Sequence, residues 1–417
     1  MVDHWRQSAA GRNFRWNFVL REVERLTDQT IQERNPDREP GSGGNVLRIM
    51  ISAAGVFFCV CALLVFGHNF ILSSGTKETV SQTKAPDVAI MDKYDMYVTN
   101  AISDALDGVL SIEKVYWLSD SDMVAPKPNK KGYGKVKSYE DLLPILEQAA
   151  DLIDGQTLAI TPDRPFWKGD KIHYYYDETI LVIAWKEVVD NAVYTVAEVK
   201  IAHPSQLRRF LAGGEFGSDK QYVTTHMAKT VNAVLATSGD FYGYRKYGVV
   251  VYDGELKRFE GDQVDTCYIN DEGDLLFSYR GQIKNEEQAQ KFIEENNVRF
   301  SLAFGPVLLD KGKIKVPKQY SLGEVNGTFS RAALCQWDKL HYLVVNTCQE
   351  GGYFERHKVK DFAQFIKKLG CKTAYALDGG QTTAIVMNND LITTPDYGTQ
   401  RRISDIIYFA TALPDGG

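Results

Sequence analysis

Apolar positions along this chain fall into three patterns, each predicting a different element. From Ile49 to Leu72 they form a nearly continuous run; Ile49 to Phe66 holds no charge and only Ser52 as a conventional polar side chain. Such a run is long enough to cross a bilayer core and predicts a transmembrane helix over 46–72. More than forty residues precede it, which fits an uncleaved signal anchor better than a cleaved signal peptide. Arg6, Arg12, Arg15, Arg21, Arg25, Arg34, Arg38 and Arg48 lie before the run, against Lys77 and Lys84 soon after it. That bias predicts a cell-membrane protein with a cytosolic segment 1–45 and an extracytoplasmic remainder.

The second pattern is helical. Trp16, Val19, Val23 and Leu26 mark a short amphipathic helix within Phe14 to Ile31. Tyr94, Val98, Ile102, Leu106 and Leu110 repeat every four residues, and Tyr139 to Ile153 is a further candidate. Helices are also expected over Pro204 to Leu211, ending at Gly213-Gly214, and over Lys358 to Leu369, ending at Gly370. The third pattern is that of short β-rich runs: Lys171 to Tyr176, Ile180 to Trp185, Val193 to Ile201, Val234 to Thr237, Thr373 to Leu377 and Ile403 to Phe409. Together they predict an α+β fold with mixed sheets. The expected order is a stalk at 73–90, a mainly helical extension leading into strands at 91–190, and a domain at 191–417. The helical part, 91–153, is a candidate surface for another envelope protein.

A hydrophobic share of 44% against 24% charged residues is a globular balance, and a net charge of -6 excludes the broad positive field that nucleic acid requires. His173, His203, His226, His341 and His357 show no metal-ligand spacing, so neither metal nor cofactor is predicted. Beyond the apolar run, Cys267, Cys335, Cys348 and Cys371 are enough for up to two bridges in an oxidising compartment.

Candidate chemistry sits where strands meet glycine turns. Val234 to Thr237 runs into Ser238-Gly239-Asp240-Phe241-Tyr242-Gly243, where Asp240 is either a general acid or base or a turn aspartate bonded to its own backbone. Thr373 to Leu377 runs into Asp378-Gly379-Gly380-Gln381-Thr382-Thr383, either a hairpin turn or an anion cradle of glycine amides and threonine hydroxyls. The P-loop lysine is missing, which excludes a nucleotide P-loop. Arg331, Arg401 and Arg402 are candidate phosphate clamps or surface salt-bridge partners.

The order of these segments resembles the bacterial phosphodiester glycosidase family, related to the lysosomal uncovering enzyme. The resemblance spans Val193 to Ala412. It is carried by Tyr194 to Ile201 with Pro204 to Phe210, by Gly239 to Gly243 and by Asp253-Gly254. Phe304-Gly305-Pro306 with Asp310-Lys311-Gly312, Leu377 to Gly380, and Arg402 to Ile406 complete it. It implies one pocket in which Asp240 and Asp378 act as catalytic carboxylates. Gly239, Arg331, Gly379, Gly380, Gln381, Thr382, Thr383 and Arg402 would surround the phosphate. The implied reaction is hydrolysis of a sugar-1-phosphodiester in an envelope glycan or exopolysaccharide. The chain departs from the family at Ser238, at Asn346-Thr347-Cys348 in place of Asp-Gly-Arg, and at Gln381-Thr382-Thr383 in place of Gly-Ser-Ser. Asn346 cannot ionise and Cys348 cannot clamp a phosphate, so the alternative is an inactive glycan-binding or envelope-assembly member.

Overall fold

The computed structural model describes residue 118 and residues 124–414, apart from 261–262, 321–324, 351–354 and 356. The expected segments 1–45, 46–72 and 73–90 and the helix at 91–110 lie outside the described residues. Among the described residues no helix is long and apolar enough to cross a membrane.

The strands in the N-terminal half are β1 (Tyr133–Val136), β2 (Ile172–Asp177), β3 (Ile180–Val189), β4 (Ala192–Ile201), β5 (Leu207–Leu211), β6 (Leu235–Ser238), β7 (Gly248–Tyr252), β8 (Glu255–Glu260), β9 (Thr266–Asn270) and β10 (Leu275–Ser278). They continue with β11 (Val298–Leu302), β12 (Val307–Asp310), β13 (Lys313–Ile314), β14 (Arg331–Asp338), β15 (His341–Cys348), β16 (Thr373–Leu377), β17 (Ile385–Met387), β18 (Asp390–Leu391) and β19 (Asp405–Phe409). The helices are α1 (Leu143–Gln148), α2 (Ala150–Ile153), α3 (Thr224–Thr230), α4 (Glu286–Glu295) and α5 (Val359–Leu369). The class is α+β, as expected. A nine-stranded sheet runs β1-β2-β3-β4-β15-β14-β16-β12-β13, and a five-stranded sheet runs β18-β17-β6-β19-β5. The pairings in both are antiparallel.

Period-two alternation stacks these sheets. On β16, Tyr375 and Leu377 join a core shared with Leu235, Ile385 and Ile407 of the smaller sheet, while Ala374 and Ala376 join a core under α5. Helix α5 buries Val359, Phe362, Ala363, Phe365, Ile366 and Leu369 on one face, and Gly370 ends it at φ 110°. A Cβ at Gly370 would also come within 2.6 Å of the Trp337 ring. Helix α3 covers the far face of the smaller sheet through Met227, Ala228 and Val231.

Three expectations change. Pro204 to Leu211 is one short 3-10 turn followed by strand β5, not a helix. Arg208 and Arg209, which fall in this segment, are both buried and answered from within. Arg208 donates to the Tyr408 hydroxyl at 2.9 Å. The four cysteines beyond the apolar run are buried free thiols, not bridges. Cys335 and Cys371 lie side by side, and burial pushes the Cys335 thiol up. The division expected at 190/191 falls inside the β3–β4 hairpin, paired from Ile180↔Ile201 to Val189↔Ala192. The strands before it therefore belong to the same sheet as those after it.

Arg209 is held on three sides. Its fully buried guanidinium lies 2.7 Å from Asp240 Oδ1 and 2.9 Å from Asp405 Oδ2 through Nη2, and its Nη1 donates to the Ser301 carbonyl. Removing one member of such a group strands a buried charge. Arg209→Leu should therefore lower stability by about 3–5 kcal/mol in urea denaturation. Adding Asp240→Asn and Asp405→Asn to the same chain should recover a large part of that loss. A loss within experimental error for Arg209→Leu would show that the group is not a structural lock.

Candidate active site

Strands β6 and β16 end beside each other, and their turns are bonded directly. Asp378 N donates to the Gly239 carbonyl at 3.1 Å, and Ser238 Oγ donates to the Asp378 carbonyl at 3.0 Å. The two acidic turns thus converge, but their carboxylates face different surroundings.

Asp240 points into the protein. Its Oδ1 accepts from Tyr242 N at 2.9 Å besides Arg209, and its Oδ2 accepts from Ala303 N at 2.6 Å. Its own amide donates to Asp405 at 3.2 Å. Burial pushes the Asp405 carboxyl up, Arg209 pulls it back, and the Asp240 charge pushes it up again. Gly239 has its place for this reason: a Cβ there would sit 2.0 Å from Asp405 Oδ2. Gly239 makes room for a carboxylate of the protein itself.

Asp378 points the other way, into a cavity of about 560 Å³ lined by Arg245, Phe304, Pro306, Phe329, Arg331, Gly379, Gly380 and Arg401 among others. Its Oδ2 is buried with no hydrogen-bond partner among the described residues. Burial raises its pKa to about 6, against the opposing pull of the Thr382 hydroxyl, Arg401 and Arg245. A carboxyl so placed changes protonation near neutral pH, as an acid or base must.

The cations are not quite those the sequence suggested. Arg401 lies in the cavity wall, while Arg402 is exposed and takes no part in it. In extended backbone, neighbouring side chains point to opposite faces, so only one of the pair can enter. Arg331 also lines the cavity, but its Nε and Nη2 donate to the carbonyls of His357 and Gly327 at 3.1 and 2.5 Å. Arg245 went unnoticed in the sequence. It sits one helical turn beyond Phe241, with Arg245 N donating to the Phe241 carbonyl at 3.1 Å, and that spacing was the available signal. Its Nη1 is buried without a partner among the described residues, and burial lowers its pKa. Its guanidinium packs 5.6 Å from the Phe241 ring and 5.1 Å from that of Phe304, while Arg401 stacks on Phe241 at 4.5 Å. Phe241 holds φ at 67°, a sparsely populated conformation for a bulky residue.

The glycine turn spends several of its amide donors within the protein. Gly380 N donates to the Ser330 carbonyl at 2.8 Å, and the Thr382 and Thr383 amides close onto the Gly379 and Gly380 carbonyls. Gly379 permits close approach, since its Cβ would lie 2.5 Å from the Ser330 carbonyl. Thr382 Oγ donates to the Gly379 carbonyl at 2.8 Å, and Gln381 is held by Thr399 at 3.2 and 3.1 Å. Thr383 is buried, its hydroxyl without a partner among the described residues. Asn346 lies on β15 opposite Ala332 of the cavity wall and is fully buried, with neither amide atom partnered among the described residues. The described residues hold no cluster of three or more His, Cys, Asp or Glu fit for a metal.

Residues 231–410 match the phosphodiester glycosidase family model. In sequence, no curated protein matches the chain. Among solved structures it is similar to the catalytic domain of zebrafish N-acetylglucosamine-1-phosphodiester alpha-N-acetylglucosaminidase, described as auto-inhibited by its pro-peptide. That match has 20% identity and a TM-score of 0.45, and covers 56% of this chain and 83% of that one. A hypothetical protein from Synechocystis matches at 13% identity and a TM-score of 0.41, over 57% of this chain and 64% of that one. An exported protein from Burkholderia pseudomallei matches at 11% identity and a TM-score of 0.35, over 53% and 74%. Strands β1–β5, with Arg209, precede the matched segment, which carries Asp240, Arg245, Asp378 and Arg401. The part of the chain that is similar to the phosphodiester glycosidase family is thus the segment 231–410.

Proposed function

We propose that this domain hydrolyses a sugar-1-phosphodiester, with Asp378 as the only catalytic carboxylate and Arg245 and Arg401 as the phosphate clamp. The observation that carries this reading is the buried, unpartnered Oδ2 of Asp378, a residue that lines a cavity whose wall also holds Arg245, Arg331 and Arg401. Ionised Asp378 takes a proton from water as the water oxygen bonds to the anomeric carbon. The bond from that carbon to the phosphate oxygen breaks, and its electrons leave with the phosphate. Arg245 and Arg401 hold the phosphate and offset the charge that builds on its oxygens. The proton held by Asp378 then returns to solvent. Asp240, engaged by Arg209, Tyr242 N and Ala303 N, has a positioning role: it fixes the turn on which Asp378 N is anchored. The proposal extends to the setting. The apolar run 46–72 would tether the domain outside the cell membrane, where an envelope glycan or exopolysaccharide carries such linkages, and 91–153 would serve contact with another envelope protein.

A second reading, a glycan-binding member without turnover, is favoured by one observation. Asn346 stands where the family carries an ionisable residue, and its buried amide has no partner among the described residues.

The two readings part in an assay of purified protein on small sugar-1-phosphodiesters. Asp378→Asn should reduce kcat by about 10²–10⁴-fold. Arg245→Ala and Arg401→Ala should each reduce it by about 10²–10³-fold, whereas Arg402→Ala should leave it within error. Saturable binding without turnover in the unaltered protein would establish the second reading.

The pH dependence follows from the raised pKa of Asp378. As a base Asp378 must be ionised, so the rate should rise with pH through about 6 and then level off. Between the ordinary carboxyl pKa and about 6 the folded state holds a proton that the unfolded state releases, so stability falls as pH rises across that window. Asp378→Asn should therefore be more stable than the unaltered chain at pH 7.5, by about 1–3 kcal/mol. The gain should vanish below about pH 4. A rate that falls through pH 6, or an asparagine variant that is less stable at pH 7.5, would remove Asp378 from this role.

A further inference from the structure

The hydrolytic reading leaves the mouth of the cavity unexplained. Four large aromatic side chains are exposed among the described residues: Tyr244 at 69%, Tyr247 at 41%, Phe329 at 38% and Tyr397 at 81%. All four lie on the segments that frame this cavity. Tyr244 and Tyr247 are on the loop that carries Arg245, Phe329 is in the wall itself, and Tyr397 is on the turn beside Gln381. The exposed large aliphatic residues, Val124 and Leu143, lie on other segments. Exposed apolar surface gathered at one place marks a binding site.

We infer that these rings form a platform for the sugar units that flank the scissile linkage, so that the substrate is a glycan chain carried across the cavity mouth. This rests on the hydrolytic reading for the identity of the linkage but not for the existence of the platform. Two of the rings, and the turn that carries a third, are held before any ligand arrives. Tyr244 stacks on Phe241 with ring centroids 4.9 Å apart, and Phe241 in turn carries Arg401. Arg331 holds the Phe329 ring at 5.3 Å. The Tyr397 turn is pinned by Ser330 Oγ donating to Asp396 at 2.8 Å, and Tyr397 itself keeps φ at 62°, which bulky residues seldom adopt. A side chain both exposed and held in an unfavourable conformation is what a binding site keeps and a plain turn discards.

The chemistry selects the occupant. Flat rings, with the polar side chains of Gln381 and Thr399 beside the Tyr397 turn, match pyranose rings, which offer a C–H face and a rim of hydroxyls. A lipid tail would need a continuous aliphatic trough, and among the described residues no exposed aliphatic side chain of large size lies on these segments. Rings already in position lose little side-chain freedom on binding.

The test uses the full-length protein with an oligomer of N-acetylglucosamine-1-phosphodiester units, with the methyl phosphodiester of the single sugar as comparator. Affinity is read by calorimetry and turnover by release of reducing sugar. Tyr397→Asn, which tolerates the positive φ, and Tyr244→Ser should each weaken oligomer binding by roughly three- to tenfold, the scale of one ring contact. The preference for the oligomer over the single-sugar ester in kcat/KM should fall by the same factor. Oligomer binding that is undetectable, or equally tight in both variants and the unaltered protein, overturns the platform. So does a ring dependence seen instead with a long-chain alkyl phosphodiester. Ring-dependent oligomer binding with no turnover of either ester keeps the platform and overturns the hydrolytic reading.

Discussion

One buried guanidinium orders this site. Arg209 reaches out of β5 to a carboxylate at the end of β6, a carboxylate at the start of β19 and the Ser301 carbonyl at the end of β11. A buried arginine between two buried carboxylates is tolerable only when geometry and hydrogen bonds satisfy every charge. That requirement fixes the Gly239-Asp240 turn, and the turn in turn supplies the carbonyl that receives Asp378 N. The position of the group facing the cavity thus depends on a charge network that never meets solvent.

The same network divides the labour between the two aspartates. Asp240 has an arginine and two backbone amides. Asp378 has an unpartnered oxygen, a nearby threonine hydroxyl and two arginines acting across the cavity. A fold selected for stability alone would not leave a buried carboxylate oxygen unpartnered. Leaving it so keeps the group protonatable near neutral pH, the condition general acid–base work requires. The aromatic residues repeat the theme at the cavity mouth, where exposed rings and a positive φ at Tyr397 are held by surrounding contacts.

Much of the frame was legible in the sequence because it follows from local rules. The amphipathic helix ending at Gly370, the strand Thr373–Leu377 and the hairpins on either side of β3 announce themselves by period and by stop residues. The convergence of the two acidic turns could be anticipated only through the family resemblance, since nothing local brings residue 240 to residue 378. The roles of Arg208 and Arg209 had no signal in the sequence, because charged side chains are seldom buried and these two are. The choice between Arg401 and Arg402 depends on the phase of an extended segment, which a one-residue slip inverts. Arg245 was hidden for a different reason: its role comes from Phe241 beneath it and Phe304 from a distant loop, and only the second of these is non-local.

The central claim is that Asp378, set in one cavity wall with Arg245 and Arg401, is the ionisable group of a site built for a phosphate ester. The most direct measurement is a carboxyl carbon NMR titration of Asp378 with and without inorganic phosphate. A midpoint near pH 6 that rises when phosphate is added is the result the proposal predicts. A midpoint in the ordinary aspartate range, unmoved by phosphate, would contradict it.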